Sequence, residues 1–150
     1  MNTKLTATIA AAGLCLGATA PAVAGAATIS TSSGPPVIKE SYTPLPCKGS
    51  PKNRTTVQME GCAEQQVTRT DTRIDGLAKQ IYVKLDSKAR TEFVAASRSW
   101  LRYRDEYCVA AAAPSAGGTI APLITIQCET KEDSEHVTDL QTFLQDAFTA

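Results

Sequence analysis

The stretch Ser97–Cys108 limits the folds open to this chain more than any other. Within twelve residues it holds the only tryptophan, Trp100, two of the four tyrosines, three arginines and a cysteine. Ala89, Phe93, Ala96, Trp100, Tyr103 and Tyr107 follow one another at steps of four, three, four, three and four, the spacing of a helical core stripe. Arg104 lies four residues after Trp100, on the edge of that stripe. A charge there has to be paired or it costs free energy. The segment therefore predicts a helix that builds the core and carries a polar network with it.

Two more helices follow from the same spacing rule. Val67, Thr70, Ile74, Leu77, Ile81 and Leu85 share one side of a helix expected over about 63–85, with Ala78 and Tyr82 beside them. Asp86 or Ser87 caps the next helix, which continues to about Ala112. So short a connection makes these two helices antiparallel neighbours. Ala110–Gly118 is a loop of small residues. Thr119 is a suitable cap for a third helix that tolerates Pro122 in its first turn and carries Ile120, Leu123, Ile124, Val137, Leu140, Phe143 and Leu144. Its charged middle, 129–136, is a place where it could break; one long helix is the expectation. No strand signal and no internal repeat stand out. The fold class is all-α: a small antiparallel three-helix bundle.

The first 24 residues read as an export signal, with Lys4, an apolar run over 5–16 and the small-residue site Ala22-Val23-Ala24. Leu14 precedes Cys15 where a lipid-attachment site wants a small residue, so Cys15 is expected to leave with the signal. Residues 25–46, rich in Thr, Ser, Gly and Pro, read as a flexible, disordered tether. The domain proper is then 47–150. Cys47, Cys62, Cys108 and Cys128 remain, an even number in an exported chain, which argues for two disulfides. Spacing alone leaves all three pairings open. Without a C-x-x-C and with His136 the sole histidine, no structural zinc site is expected.

Charge is balanced overall and uneven along the chain. Residues 47–105 carry twelve Lys/Arg and seven Asp/Glu; residues 106–150 carry one Lys and seven Asp/Glu. Oppositely charged helices packed side by side explain this, and a charged docking face is the sharper alternative. Antiparallel register brings Arg104 near Asp71 or Asp75. If Cys108 bonds Cys128, it also brings Asp105 near Lys131 and His136, and Trp100 near His136.

Catalytic chemistry is not visible. His136 sits in a charged helix, read as a surface or ion-paired histidine. Asp105 and Glu106 are adjacent and point to different helix faces. There is no phosphate-binding loop or dinucleotide fingerprint, and the basic residues are interleaved with acids, against a nucleic-acid patch. No cofactor is expected, and no integral membrane span, because the apolar run is short and interrupted.

The pattern Arg98-x-Trp100-Leu101-x-Tyr103-Arg104-Asp105-x-x-Cys108, then Gly117-Gly118-Thr119-x-x-Pro122 and Cys128, resembles the lysozyme inhibitor LprI-like family of small exported bacterial proteins. Cys47, Cys62, Asp75, Tyr82 and Leu85 extend the resemblance over roughly 47–140. Ser97, Lys79, His136 and Asp133 depart from it, at positions where members often carry Gln, Asn, Arg and Thr. The resemblance implies the pairing Cys47–Cys62 and Cys108–Cys128, and a protein partner, a lysozyme, blocked at its carbohydrate cleft. Two docking surfaces are candidates: the acidic segment 129–146, with Glu132, Asp133 and Glu135 at its centre, and the loop Ala110–Gly118. A structural or envelope-maintenance domain is the alternative reading.

Overall fold

A computed structural model describes residues 26–30 and 34–148; the expected export signal and Cys15 lie outside them. Three helices make the bundle: α1, Thr56–Lys84; α2, Ser87–Ala112; and α3, Ala121–Phe148. α1 begins seven residues earlier than apolar spacing indicates, because Thr55 and Gln58 form a reciprocal capping box. The Thr55 N–H donates to Gln58 Oε1 at 2.9 Å and the Gln58 N–H to Thr55 Oγ1 at 3.4 Å. Asp86 caps α2, accepting from the Ala89 N–H at 2.8 Å. α3 runs unbroken through its charged middle.

The short joint at Leu85–Asp86 sends α2 back antiparallel to α1, and α3 then runs parallel to α1 and antiparallel to α2. α3 lies most closely against α1 and next against α2. Both disulfides are formed, Cys47–Cys62 and Cys108–Cys128. The first pins the chain entering α1 to that helix; the second ties α2 to α3. Each closes a loop of 15 or 20 residues, worth on the order of 3 kcal/mol in the chain-entropy picture.

α2 is rotated from its expected setting. Its buried residues are Leu101, Arg104, Cys108 and Ala112. Trp100 and Phe93 are half-buried, Ala96 is exposed, and Tyr103 and Tyr107 are 53% and 48% exposed. Hydropathy favoured the tyrosines over an arginine for the core. The fold reverses this because Arg104 has its counter-charges inside.

The segment that composition reads as a tether is docked on the bundle over its described residues. Thr28–Ile29 (β1) pairs antiparallel with Ile38–Lys39 (β2), Ile29 opposite Ile38. Both isoleucines join Ile74, Ile81, Leu101, Val137 and Leu140 in the apolar core. β1 lies on α2 and β2 on α1, so this ribbon bridges the two helices. Few apolar residues suffice here, since alternate positions of so short a strand need bury only one side chain each.

Farther along, Leu45 seats against Gly61. A Cβ on Gly61 would come within 2.9 Å of Leu45 Cβ and 3.0 Å of the Leu45 carbonyl oxygen. Gly61→Ala is therefore expected to cost about 1–3 kcal/mol through overpacking, read from urea denaturation. An unchanged midpoint would mean that the segment yields freely at this point.

Candidate functional site

The centre of the bundle is a fully buried guanidinium surrounded by acids. Arg104 has no solvent exposure. Its Nη2 lies 2.9 Å from Glu40 Oε1 and 2.9 Å from Asp105 Oδ1, and its Nη1 lies 3.0 Å from Asp133 Oδ1 and 3.4 Å from Asp71 Oδ1. Nε also donates to Asp105 Oδ1 at 3.0 Å. The Trp100 ring sits 5.8 Å from the guanidinium carbon. These four acids come from the N-terminal segment, α1, α2 and α3, so one side chain ties every part of the fold together.

Acid outnumbers base. Glu129 is in the same field, and its Oε2, Asp133 Oδ2 and the Tyr42 hydroxyl are buried without hydrogen-bond partners among the described residues. Burial pushes the Glu129 carboxyl up to about 7, against the pull of Arg104. It pushes Asp133 up to about 6, again against Arg104. Asp71 is raised well above the usual carboxylate range, by burial first and then by the charges of Asp133 and Glu40. Asp105 is raised by burial, although Arg104 and the Ala27 N–H hold it back. Desolvation works against the Arg104 charge, and Asp133, Glu40 and Asp105 more than offset it.

Groups whose folded pKa is raised stabilise below their unfolded pKa, and that stability is lost as pH rises through the folded value. For Glu129 and Asp133 the window runs from about 4 to about 7. His136 acts in the opposite sense: burial lowers it to about 4, so its contribution is lost as pH falls from about 6.5. The raised carboxyls of Glu129, Asp133, Asp71 and Asp105 outweigh one imidazole, and stability is expected to fall between pH 5 and pH 8. Glu129→Gln should stabilise at pH 8 by about 2 kcal/mol and do little at pH 4.5. Thermal melts across that range test this; the same gain at both pH values would locate the effect in packing rather than charge.

Several expected neighbours meet. Arg104 pairs with Asp71. Trp100 stacks on His136 with ring centroids 3.8 Å apart and planes 12° apart. The histidine is thus a half-buried, neutral stacking partner, rather than a surface or ion-paired one. Asp75 does not reach Arg104; it accepts the Ile38 N–H at 2.9 Å. Asp105 pairs with neither His136 nor Lys131: it holds Arg104 and accepts the Ala27 N–H at 3.0 Å. Lys131 instead pairs with Glu135 at 2.7 Å and Glu132 at 3.4 Å.

Tyr82 lies under the Arg90 guanidinium at 5.0 Å. Arg98 is exposed. Gly117 has φ of +79°, which explains a glycine in the turn, and the Gly118 N–H donates to the Ser115 carbonyl at 3.0 Å. Of the three acids proposed as a docking face, Asp133 is fully buried against Arg104 and Glu132 is 9% exposed, so only Glu135 stands on the surface.

The other candidate surface has a feature that charge counting by halves conceals. Residues 107–128 contain no charged side chain at all. They form the end of α2, a turn and the start of α3, closed at the base by Cys108–Cys128. Val109 and Ile120 are 50% and 40% exposed, and Ala110, Ala111, Ala113, Pro114 and Ala116 are exposed too. Tyr103 and Tyr107, stacked with centroids 5.6 Å apart, continue this surface down α2. An open groove of about 400 Å³ lies between the start of α1 and the start of α3, lined by Pro51, Arg54, Met59, Cys62, Gln127 and Thr130 among others, with no carboxylate or histidine in its wall. Among the described residues no cluster of His, Cys, Asp or Glu could hold a metal ion, and no helix is long and apolar enough to cross a membrane.

No curated protein and no solved structure matches this chain. A family model described as lysozyme inhibitor LprI matches residues 47–140. That span takes in both disulfides, all of α1 and α2, Arg104 with Asp71, Asp105 and Asp133, and the Gly117–Gly118 turn. The chain belongs to the lysozyme inhibitor LprI family.

Proposed function

We propose that this is an exported, non-enzymatic protein that inhibits a lysozyme by seating the tip of its α2–α3 hairpin in the enzyme's carbohydrate cleft. The observation that carries this reading is the uncharged stretch 107–128, mostly exposed between 109 and 120 and held in shape by a disulfide at its base. A tip of small neutral side chains enters a narrow cleft without desolvating a charge, and a covalently closed hairpin loses little entropy on docking. Two disulfides suit an oxidising compartment outside the cytoplasm. The acidic surface of α3 is the weaker candidate, because Asp133 at its centre is buried against Arg104 and the Glu132 and Glu135 carboxylates lie against Lys131.

The test is lysis of peptidoglycan by c-type and g-type lysozymes with increasing amounts of the oxidised protein. Wild type should inhibit. A variant carrying Ala113→Glu and Ala116→Glu, both at exposed positions, should lose at least about tenfold in potency, a difference of about 1.4 kcal/mol, with its melting temperature unchanged. Equal potency would remove the tip from the interface. No inhibition by a folded wild type would favour a structural role in the envelope.

A further inference from the structure

In sequence the cations of α1 are interleaved with acids; on its surface they are not. Residues 65–85 contain Arg69, Arg73, Lys79 and Lys84 against Asp71 and Asp75. Asp71 turns inward to Arg104, and Asp75 is taken up by the Ile38 N–H. Gln66, Arg69, Arg73, Gln80 and Lys84 are exposed. They follow one another at steps of three, four, seven and four, which sets them along one side of the helix. No carboxylate falls on that line. Among the described residues Arg69, Arg73 and Lys84 have no ion-pair partner.

α3 runs beside α1 with the same rhythm. Gln127, Thr130, Ser134, Thr138 and Gln141 step by three, four, four and three, and none is charged. The two lines meet at both ends. Gln66 shares the groove wall with Gln127 and Thr130, and Lys84 lies 5.4 Å over the Phe148 ring. The exposed acids of α3, Glu135, Asp139 and Asp146, follow another line, on the side of His136, which stacks on Trp100 of α2. From Gln66 to Lys84 the strip spans about 27 Å at the helical rise. At the start of α1 it opens into the groove, where Arg54 stands in the wall with its Nε donating to the Lys48 and Gly49 carbonyls, each at 3.3 Å.

We propose that this groove and the strip between α1 and α3 bind an acidic polysaccharide chain. The cations would meet its carboxylates, and the amides and hydroxyls its sugar hydroxyls. The Thr130, Ser134 and Thr138 hydroxyls donate to the carbonyls four residues back, at 2.9, 2.8 and 3.2 Å. Their oxygens therefore face outward as acceptors. A sugar hydroxyl can donate to them; the phosphate backbone of DNA, which offers acceptors alone, cannot. The strip's side chains are all polar, so it has nothing to insert into a bilayer. The inference does not rest on the inhibitor reading, and its assay contains no lysozyme.

The experiment is calorimetric titration of the oxidised full chain with polygalacturonate, at low and at high salt. The fully methyl-esterified polymer, with the same backbone and no charge, is the control. Wild type should bind the acid and not the ester, and binding should weaken as salt rises. Arg69→Glu with Arg73→Glu, both exposed, should lose at least about tenfold in affinity by setting like charges against the polymer, with the melting temperature unchanged. Lys79→Glu with Lys88→Glu makes the same change in net charge at exposed positions off the strip, and should bind as wild type does. Gln66→Ala with Gln127→Ala should weaken binding at both salt concentrations.

Equal binding of acid and ester, or none of either, would overturn the proposal. So would equal losses in the two charge-reversed proteins, or no loss in the amide variant. Tighter binding of duplex DNA or of anionic phospholipid vesicles than of polygalacturonate would assign the strip to that other partner instead.

Discussion

Arg104→Met is expected to destabilise the protein by about 3–5 kcal/mol at neutral pH, the cost of leaving buried charges without their partner. The methionine fills the space and removes the cation that pairs with Glu40, Asp71, Asp105 and Asp133. The loss should shrink at pH 5, where the orphaned carboxyls can take up protons instead of repelling one another. This pH-dependent rescue separates an electrostatic cost from a packing cost, which would be the same at both values. Arg104→Lys should recover little. An ammonium offers three donors from one point, whereas the guanidinium uses Nε, Nη1 and Nη2 to reach acids on different elements. Urea melts at pH 5 and pH 7.5 decide the matter; an Arg104→Met protein as stable as wild type at pH 7.5 would mean that the acids are already neutral there.

Much of this architecture is legible in the sequence, and the failures share one cause. Helix positions, the Arg104–Asp71 pair and the Trp100–His136 contact follow from spacing and antiparallel register, because periodicity survives any error about which residues are polar. Which face of α2 turns inward does not follow. That required knowing that Glu40, 64 positions away in sequence, and Asp133, in a segment read as an acidic docking surface, would both turn toward Arg104. Once they do, the arginine and its stripe become core and Tyr103 and Tyr107 become surface. The same misreading turned Asp133 from a buried ion-pair partner into a docking residue. Glu129, Glu132 and Asp133 look like an exposed acidic face because local sequence does not reveal a distant buried cation.

Two other signals in the sequence are muted by their surroundings. Thr55-x-x-Gln58 is a complete capping signature, masked by the turn-rich residues before it. Ile29 and Ile38 are isolated apolar positions in a Ser/Thr/Pro-rich segment, where composition averages them away. A pair of such residues is enough to seat a short ribbon when the bundle offers an apolar floor and carboxylates at its rim to receive free N–H groups.

The two disulfides should prove energetically alike and functionally different. By loop length, replacing either pair with serines costs on the order of 3 kcal/mol, since the sequence separations are 15 and 20. Cys47–Cys62 fixes the entry to α1 and is no part of the hairpin itself; its loss should lower stability and leave inhibition per folded molecule nearly unchanged. Cys108–Cys128 closes the hairpin from which Ala110–Gly118 projects. Without it, the ends of α2 and α3 can fray where there are no charged side chains to pair across them. The tip then has to be ordered on docking, at a cost that appears as lost affinity. Inhibition assays below the melting temperature of each variant separate the two cases. A Cys108→Ser, Cys128→Ser protein that is folded and fully inhibitory would show that the hairpin's shape does not matter, and equal loss in both variants would make the disulfides a matter of stability alone.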